Sequence, residues 1–336
     1  MVAALLEVAA GIWLGAMVLR DVCETVVVPG GSRGTLKLVQ RLARGALPLA
    51  RRLRGGPIGV NFAPMVMLGA FVAWMLLLVL AFGLMLHGLA GDFSPRLAGF
   101  GAALYAAGSA LATIGVGNGE VAGAARIVLV LAGLCGLAVM TMAITYLLQV
   151  QSNTAHRDNG VLKITTATGH PPSALGLLER YAALDLRDDL EEVLRQGRDW
   201  CAGVLQSHAS HPSLIYYRSA GTGSGWPATL GALVDLALII EHVLDAPPLR
   251  GRAVLLREQA ARLAKEVVTL LALTPAPAAP TPADVGALRQ RLRAAGYAVR
   301  EAVDVDGFIA ARVSDVACIQ ALSHHLGTQP APLLPA

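Results

Sequence analysis

The sequence predicts an all-α membrane protein that carries a separate, mainly helical domain outside the lipid. The chain of 336 residues is 55% hydrophobic and only 15% charged, with a mean hydropathy of +0.58. These values favour a membrane protein over a soluble one. The apolar residues are concentrated in the first half, where residues 55–90 contain no Asp, Glu, Lys or Arg. The second half instead repeats apolar residues at helical spacing, which indicates packed helices.

Three stretches are long enough to cross a bilayer, which takes about 20 apolar residues. They cover residues 2–22, 62–89 and 127–150. The first contains Glu7 and ends among charged residues, so a signal peptide is the alternative interpretation. No basic region precedes its apolar run, and no clean cleavage site follows it. We therefore predict an N-terminal membrane helix within residues 1–28.

Residues 29–57 form a basic segment with seven cationic and no acidic residues. Basic loops are retained in the cytoplasm, so this segment is expected inside. The N-terminus and residues 91–125 then lie outside, and everything after Gln151 lies inside. This predicts a multi-pass protein of the inner cell membrane with a cytoplasmic C-terminal domain.

The same segment has the pattern of an amphipathic helix. Four cations share one helical face and suit contact with anionic lipids: Arg33, Lys37, Arg41 and Arg44. An ordinary positive-inside loop explains them as well. A voltage sensor fits less well, since Gly45, Pro48 and the run Gly55-Gly56-Pro57 interrupt the helix.

A glycine-rich stretch, SALATIGVGNGE, occupies residues 109–120 between the second and third predicted membrane helices. The apolar run before it, residues 99–112, is too short to cross a bilayer and must return to the side it entered from. Irregular backbone at membrane depth is tolerated where it is buried in protein or lines a water-filled path. Residues 113–119 are expected to be such backbone.

This arrangement resembles the potassium channel pore-loop family. Thr113-Ile114-Gly115-Val116-Gly117-Asn118, behind a short helix and between two membrane helices, resembles the selectivity filter of those channels. The resemblance implies a two-helix-plus-pore-loop prokaryotic channel with an extra N-terminal membrane helix, its pore domain at residues 58–152. It implies a homotetramer, and potassium as the bound ion. The filter residues would be Thr113, Ile114, Gly115, Val116 and Gly117.

Glycine at alternate positions suits a filter, because carbonyls that all point one way require conformations that glycine reaches at little cost. In the inner helix, the resemblance implies a gating hinge at Gly136, with Gly133 as a second candidate. Some positions differ from most potassium channels: Ser109, Ala112, Val116 and Asn118. These differences favour cation conduction in general over strict potassium selectivity.

The cytoplasmic domain is expected at residues 160–336. Helical periodicity marks six helices, at residues 172–183, 186–205, 227–244, 252–273, 283–295 and 308–326, and a proline-rich connector occupies residues 275–282. From residue 157 onward, basic and acidic residues nearly balance, so nothing indicates binding of nucleic acid. The strand–helix alternation of a nucleotide-sensing domain is missing from the pattern.

One stretch of this domain, HPSLIYYRS at residues 211–219, suits either ligand contact or helix packing. The candidate contacts are His211, Tyr216, Tyr217 and Arg218, and the ligand stays open. His208 and His211 are spaced to share a metal, but no Cys or carboxylate cluster completes four ligands.

We therefore expect no transition-metal site, no organic cofactor and no enzyme active site. The four cysteines form no CxxC pair and are expected to be reduced. The alternative functions are a weakly selective cation channel, a membrane-anchored signalling or binding protein, and a transporter with a re-entrant loop.

Overall fold

The computed structural model describes residues 2–26, 62–115, 120–217, 225–275 and 279–335, together with isolated residues of the basic segment. The proposed lipid contacts Arg33, Lys37 and Arg44 lie outside the described residues, and Arg41 is exposed. The chain divides into two compact units, Met1–Gln151 and Ser152–Ala336. The fold class predicted from the sequence is confirmed: the protein is an all-α membrane protein.

The first unit contains four helices in its described part. Helix α1 is Val2–Val26, α2 is Phe62–Gly88, α3 is Phe100–Leu111, and α4 begins at Gly123. Among the described helices, α1, α2 and α4 are long and apolar enough to cross a membrane, whereas α3 is apolar but short. A two-residue antiparallel pair, β1 (Phe93–Ser94) with β2 (Glu120–Val121), flanks α3 in the sequence.

Helix α1 packs along α2 through small residues. A Cβ atom at Gly11 would lie 2.5 Å from the Ala81 carbonyl oxygen, and one at Gly88 would lie 2.6 Å from the Ala4 carbonyl oxygen. Such close backbone approach is the usual way in which membrane helices gain packing energy. The contact between α1 and α2 therefore needs a glycine at position 11 of α1 and at position 88 of α2.

Two acidic residues of the first predicted span have partners on α2, while Arg20 and Glu24 pair with each other within α1. The indole Nε1 of Trp74 donates a hydrogen bond to Asp21 Oδ2 at 2.8 Å, and both side chains are fully buried. Glu7 Oε2 lies 2.7 Å from His87 Nδ1. A polar group within lipid is stabilised when it finds such a partner, so these pairs explain how an apolar helix carries Glu7 and Asp21.

Helix α4 runs from Gly123 to Thr168, well beyond the predicted residues 127–150. Its first half is apolar, and its second half contains the polar sequence QSNTAHRDN. The border between the two units falls inside this helix. The residues expected to separate the pore domain from the second domain, 153–159, are thus helical.

The second unit consists of the end of α4 and six further helices in its described part. Their bounds are α5 (Ala174–Ala183), α6 (Leu190–Ser210), α7 (Gly225–His242), α8 (Pro247–Leu271), α9 (Pro282–Ala294) and α10 (Val305–Leu326). Helix starts follow capping residues: the Ser173 hydroxyl accepts from Gly176 N, and Thr281 with Asp284 forms a capping box. The end of the predicted proline-rich connector, Pro282, is already the first residue of α9.

Helix α7 is the centre of the second unit. Every residue from Trp226 to Ile240 is buried, as expected for a helix that is apolar on all sides. Its one buried acid, Asp235, accepts two hydrogen bonds from Arg312 of α10, at 2.7 and 3.0 Å. Paired in this way, the charge is compatible with a dry core.

Candidate ion-binding site

The residues after α3 turn back onto the end of that helix. The amide of Thr113 donates to the Ala110 carbonyl at 3.0 Å, and the amide of Ile114 donates to the Ser109 carbonyl at 2.9 Å. Gly115 N also lies within hydrogen-bond distance of Ser109 O, at 3.3 Å. These contacts satisfy carbonyls that a helix end otherwise leaves free. The last turn of α3 thus holds the first residues of the glycine-rich segment in place.

Two described residues of this segment adopt left-handed backbone conformations. Gly115 has a φ of 91°, which a glycine reaches without strain. Thr113 has a φ of 59°, a conformation that is costly for a β-branched residue. Strain of this kind is concentrated at functional sites. The sequence pattern predicted special backbone at glycine but not at Thr113.

The described residues of this segment are not covered by the rest of the chain. Thr113, Ile114 and Gly115 are exposed, and the apolar Ile114 side chain is 77% exposed. The remaining predicted filter residues, Val116 and Gly117, lie outside the described residues. The described part of one chain therefore leaves residues 113–115 open.

Asp92 holds the chain just beyond the segment. Its carbonyl oxygen accepts from Ala122 N at 2.9 Å, and its Oδ2 accepts from Ala125 N at 3.1 Å in the first turn of α4. Gly123 has a φ of 52°, and a Cβ atom there would lie 2.7 Å from Asp92 Oδ2. Together with the β1–β2 pair, these bonds fix the chain after the segment to the chain before α3. Sequence reasoning missed Asp92, because its partners are about 30 residues away.

Both predicted hinge glycines lie where α4 passes the end of α3. A Cβ atom at Gly136 would lie 2.0 Å from the Leu111 carbonyl oxygen, so a side chain there has no room. At Gly133 the corresponding distance to the Ala110 carbonyl oxygen is 3.5 Å, an ordinary contact. Helix α4 is continuous through both positions. The structure adds a packing requirement at Gly136 to the predicted hinge.

In the second unit, the candidate ligand stretch contacts the end of α4 through a buried arginine. Residues Pro212–Tyr216 form a 3₁₀ helix. The guanidinium of Arg157 donates to the Leu214 carbonyl at 3.1 Å and to the Tyr217 carbonyl at 2.9 Å. Arg157 is 1% exposed. Burial lowers its pKa, while Asp158, at 3.0 Å, acts in the opposite direction.

Trp200 fixes the backbone of Arg157 as well. Trp200 Nε1 donates to the Arg157 carbonyl at 2.9 Å, and the Trp200 ring packs on Gly160, where a Cβ atom would lie 2.1 Å from Cδ1. Sequence reasoning missed Arg157 because its acceptors are main-chain carbonyls, which carry no residue preference.

The other predicted contacts of this stretch are partly buried. His211 is buried, and the Tyr216 ring lies 6.2 Å from the His325 ring. Arg218 lies outside the described residues. These positions suit packing at least as well as ligand contact.

The two histidines that sequence spacing brings together differ in environment. His208 is fully buried, 5.0 Å from the Trp226 ring, and its Nδ1 lies 2.8 Å from the Val204 carbonyl. Burial and the charge of Arg157 lower its pKa to about 3, so it is neutral. Within the described ranges, no group of three or more His, Cys, Asp or Glu residues is arranged to hold a metal ion.

Comparison with known proteins gives one match. Residues 74–153 match a protein-family model described as Ion channel. The matched range contains most of α2, all of α3, the glycine-rich segment and the first part of α4. It supports an ion channel with a pore loop. No curated protein and no solved structure matches the chain.

Proposed function

We propose that the chain is one subunit of a homotetrameric cation channel that conducts potassium through residues Thr113–Gly117. One observation carries the proposal: within the region that matches ion channels, a short apolar helix ends at Leu111, two residues before Thr113, and holds Ile114 and Gly115 through the Ser109 carbonyl. A short helix followed by constrained, exposed backbone is what a pore loop requires.

The chemistry needs no side-chain charge. A permeating cation exchanges its water shell for carbonyl oxygens and the Thr113 hydroxyl, arranged in rings around the pore axis. The carboxyl end of α3 carries a partial negative charge from the aligned peptide dipoles, which stabilises a cation nearby. In this proposal Asp92 and the Ser109 carbonyl act as positioning groups at the two ends of the filter.

We infer four subunits from the resemblance to potassium channel pore loops. One chain contributes one segment, and a ring of carbonyls requires several copies around one axis. The exposed apolar surface supports this, since Ile114 and much of α4 are uncovered in one chain. The large apolar residues exposed in the membrane part of α4 include Ile127, Val130, Leu131, Leu134, Leu137, Met140, Ile144 and Leu148.

For the membrane orientation, we infer that the basic segment 29–57 lies on the cytoplasmic side of the inner cell membrane, against anionic lipids. The filter entrance then faces outward and the second unit is cytoplasmic. The excess of cations in a short loop supports this orientation.

We infer that the second unit assembles or gates the channel. Helix α4 includes both the proposed inner helix and Arg157, whose guanidinium binds the carbonyls of Leu214 and Tyr217. A rearrangement around Pro212–Tyr216 therefore acts on α4 directly, and Gly136 or Gly133 would absorb the resulting bend.

Two alternatives remain open. Val116 and Asn118 replace residues that usually brace a potassium filter, which favours a weakly selective cation channel. A membrane-anchored signalling or binding protein is the other alternative, in which the second unit is the functional part.

Two measurements on the full chain separate these functions. Mass measurement in lipid nanodiscs should give four subunits, whereas a monomer would favour the signalling protein. Reversal potentials in planar bilayers with potassium on one side and sodium on the other should approach the potassium equilibrium potential. A reversal potential near zero, with current present, would favour the weakly selective channel.

A further inference from the structure

The described residues that follow α10 lie back on the core of the second unit. Helix α10 ends at Leu326, and Gly327, with a φ of 67°, turns the chain there. Residues 328–335, here called the docked segment, form no helix or strand. Within this segment Ala331 and Leu333 are each only 8% exposed, and Leu333 belongs to the core cluster. Alternate side chains are thus buried, as in a peptide that lays one face on a groove.

Helix α7 leaves a recess for the docked segment at Gly231. A Cβ atom at Gly231 would lie 3.2 Å from the Ala331 Cβ atom and 3.7 Å from Ile319 Cγ2 of α10. Protein interiors are close-packed, so a side chain at this position would push the docked segment outward. The glycine therefore provides the space for Ala331, and the groove favours a small residue there.

Arg291 of α9 holds the far part of the docked segment. Its Nη1 donates to the Pro335 carbonyl at 2.8 Å. Its Nε and Nη2 donate to the two carboxylate oxygens of Glu179 on α5, at 2.7 and 2.8 Å. This bidentate pair fixes the plane of the guanidinium, so Nη1 is already oriented toward the segment. Because the acceptor is a main-chain carbonyl, the contact recognises peptide backbone and not one particular side chain.

The composition of the docked segment suits a peptide ligand. Three of its residues are prolines, Pro330, Pro332 and Pro335. Proline fixes φ, so such a segment is partly ordered before it binds and loses less conformational entropy. Grooves that recognise proline-rich segments use this advantage. The docked segment thus has the chemistry of a peptide ligand that is covalently attached to its site.

We propose that the groove formed by α5, α7, α9 and α10 binds a proline- and leucine-rich segment of a partner protein, which displaces the docked segment. The partner places a small side chain at Gly231, a leucine two positions later in the core, and a main-chain carbonyl two positions further on at Arg291. An attached segment has an effective concentration on the order of millimolar at its site. It therefore keeps the groove closed to weak ligands. The proposal does not depend on ion conduction.

A fluorescent peptide of residues 329–336, QPAPLLPA, tests this site by fluorescence polarisation with protein in lipid nanodiscs. Two forms free the groove: a chain that ends at Thr328, and the full chain with Leu333→Asp. At least one of these forms should bind the peptide tenfold or more tightly than the wild type, whose own segment competes. The same peptide with Leu333→Asp is the control and should bind neither form.

A matched pair of arginine variants locates the site. Arg291→Gln, added to either opened form, should weaken peptide binding roughly tenfold, the effect of one hydrogen bond from a charged donor. Arg293→Gln removes an exposed arginine of the same helix and should leave binding unchanged. The proposal is overturned if neither opened form binds the peptide, if the wild type binds it equally well, or if the two arginine variants behave alike.

Discussion

At the scale of single residues, Arg157 shows how a buried charge can organise main chain. Its guanidinium donates to the carbonyls of Leu214 and Tyr217, and the first of these also accepts from the Tyr217 amide. A charged donor to a neutral carbonyl contributes more than an ordinary hydrogen bond. Arg157 thereby joins α4 to the candidate ligand stretch.

Arg157→Met should destabilise the second unit by about 3 kcal/mol, because the Leu214 and Tyr217 carbonyls each lose a charged donor and Asp158 loses its partner. Urea unfolding of the full chain in detergent, followed by tryptophan fluorescence, measures this. The control is Arg195→Gln, which removes an exposed arginine of α6 and should leave the unfolding midpoint unchanged. Equal midpoints for Arg157→Met and the wild type would show that the contact contributes nothing.

His208 should make the second unit sensitive to acid. Its pKa is about 3 in the folded state and near 6.5 in an unfolded chain. As the pH falls below 6.5 the unfolded state binds a proton that the folded state does not, so stability is lost between pH 6.5 and 3. The loss is at most about 1.4 kcal/mol per pH unit. It is absent above pH 7, where both states are neutral.

His208→Phe keeps a ring beside Trp226 and removes the titrating group. Urea midpoints at pH 7 and pH 5 should therefore differ less in this variant than in the wild type. If the two proteins lose stability equally between these pH values, carboxylates elsewhere cause the acid sensitivity and His208 does not.

At the scale of elements, α3 is held by glycine contacts on both sides. Gly83 of α2 faces Leu104, where a Cβ atom would lie 2.6 Å from Cδ2, and Gly136 of α4 faces the Leu111 carbonyl. Since α3 ends where the proposed filter begins, these contacts set the filter position. The two glycines of α4 provide a matched pair for testing this.

Gly136→Ala should displace α3, abolish most of the potassium flux and cost about 2 kcal/mol of stability through overpacking. Gly133→Ala should conduct normally, since its new Cβ atom meets only an ordinary contact at 3.5 Å. Flux into liposomes measures both. Equal flux through the two variants would contradict the packing role of Gly136 and leave it as a hinge alone. A hinge at Gly136 is tested by Gly136→Pro, which should change the open probability of the channel without changing its selectivity.

The elements also show what sequence can and cannot predict. Hydropathy located α1 and α2 to within a few residues, because a membrane helix is defined by its own composition. The second half of α4 was missed, since a polar run such as QSNTAHRDN carries no apolar stripe and its helix is held by contacts from Trp200 and the Pro212–Tyr216 turn. Irregular backbone at residues 113–119 was predicted, but the left-handed conformation of Thr113 and the support from Ser109 and Asp92 were not. The hydrogen bonds of the Ser109 carbonyl and of Asp92 involve main-chain atoms or residues that are distant in the sequence, so no sequence pattern indicates them.

At the scale of the whole molecule, the two units can be tested separately. Truncation after Thr154 keeps α1 to α3 and the membrane part of α4, and removes nearly all of the second unit. We expect the truncated protein to conduct, because the filter and inner helix remain, but to form a less stable assembly with altered open probability. Single-channel recording and thermal stability of the assembly measure this. Wild-type gating and stability after truncation would show that the second unit neither assembles nor regulates the pore.

The account as a whole depends on one claim, that the backbone at Thr113–Gly117 is the ion path. Potassium flux from liposomes containing the wild type, Gly115→Ala or Gly101→Ala tests it most directly. Gly115 has a positive φ and Gly101 lies within α3, and a Cβ atom at either position would meet no neighbouring atom within 4 Å of the same chain. We predict potassium flux through the wild type and Gly101→Ala and none through Gly115→Ala, with all three proteins assembled alike. Undiminished flux through Gly115→Ala, or no flux through the wild type, would contradict the claim.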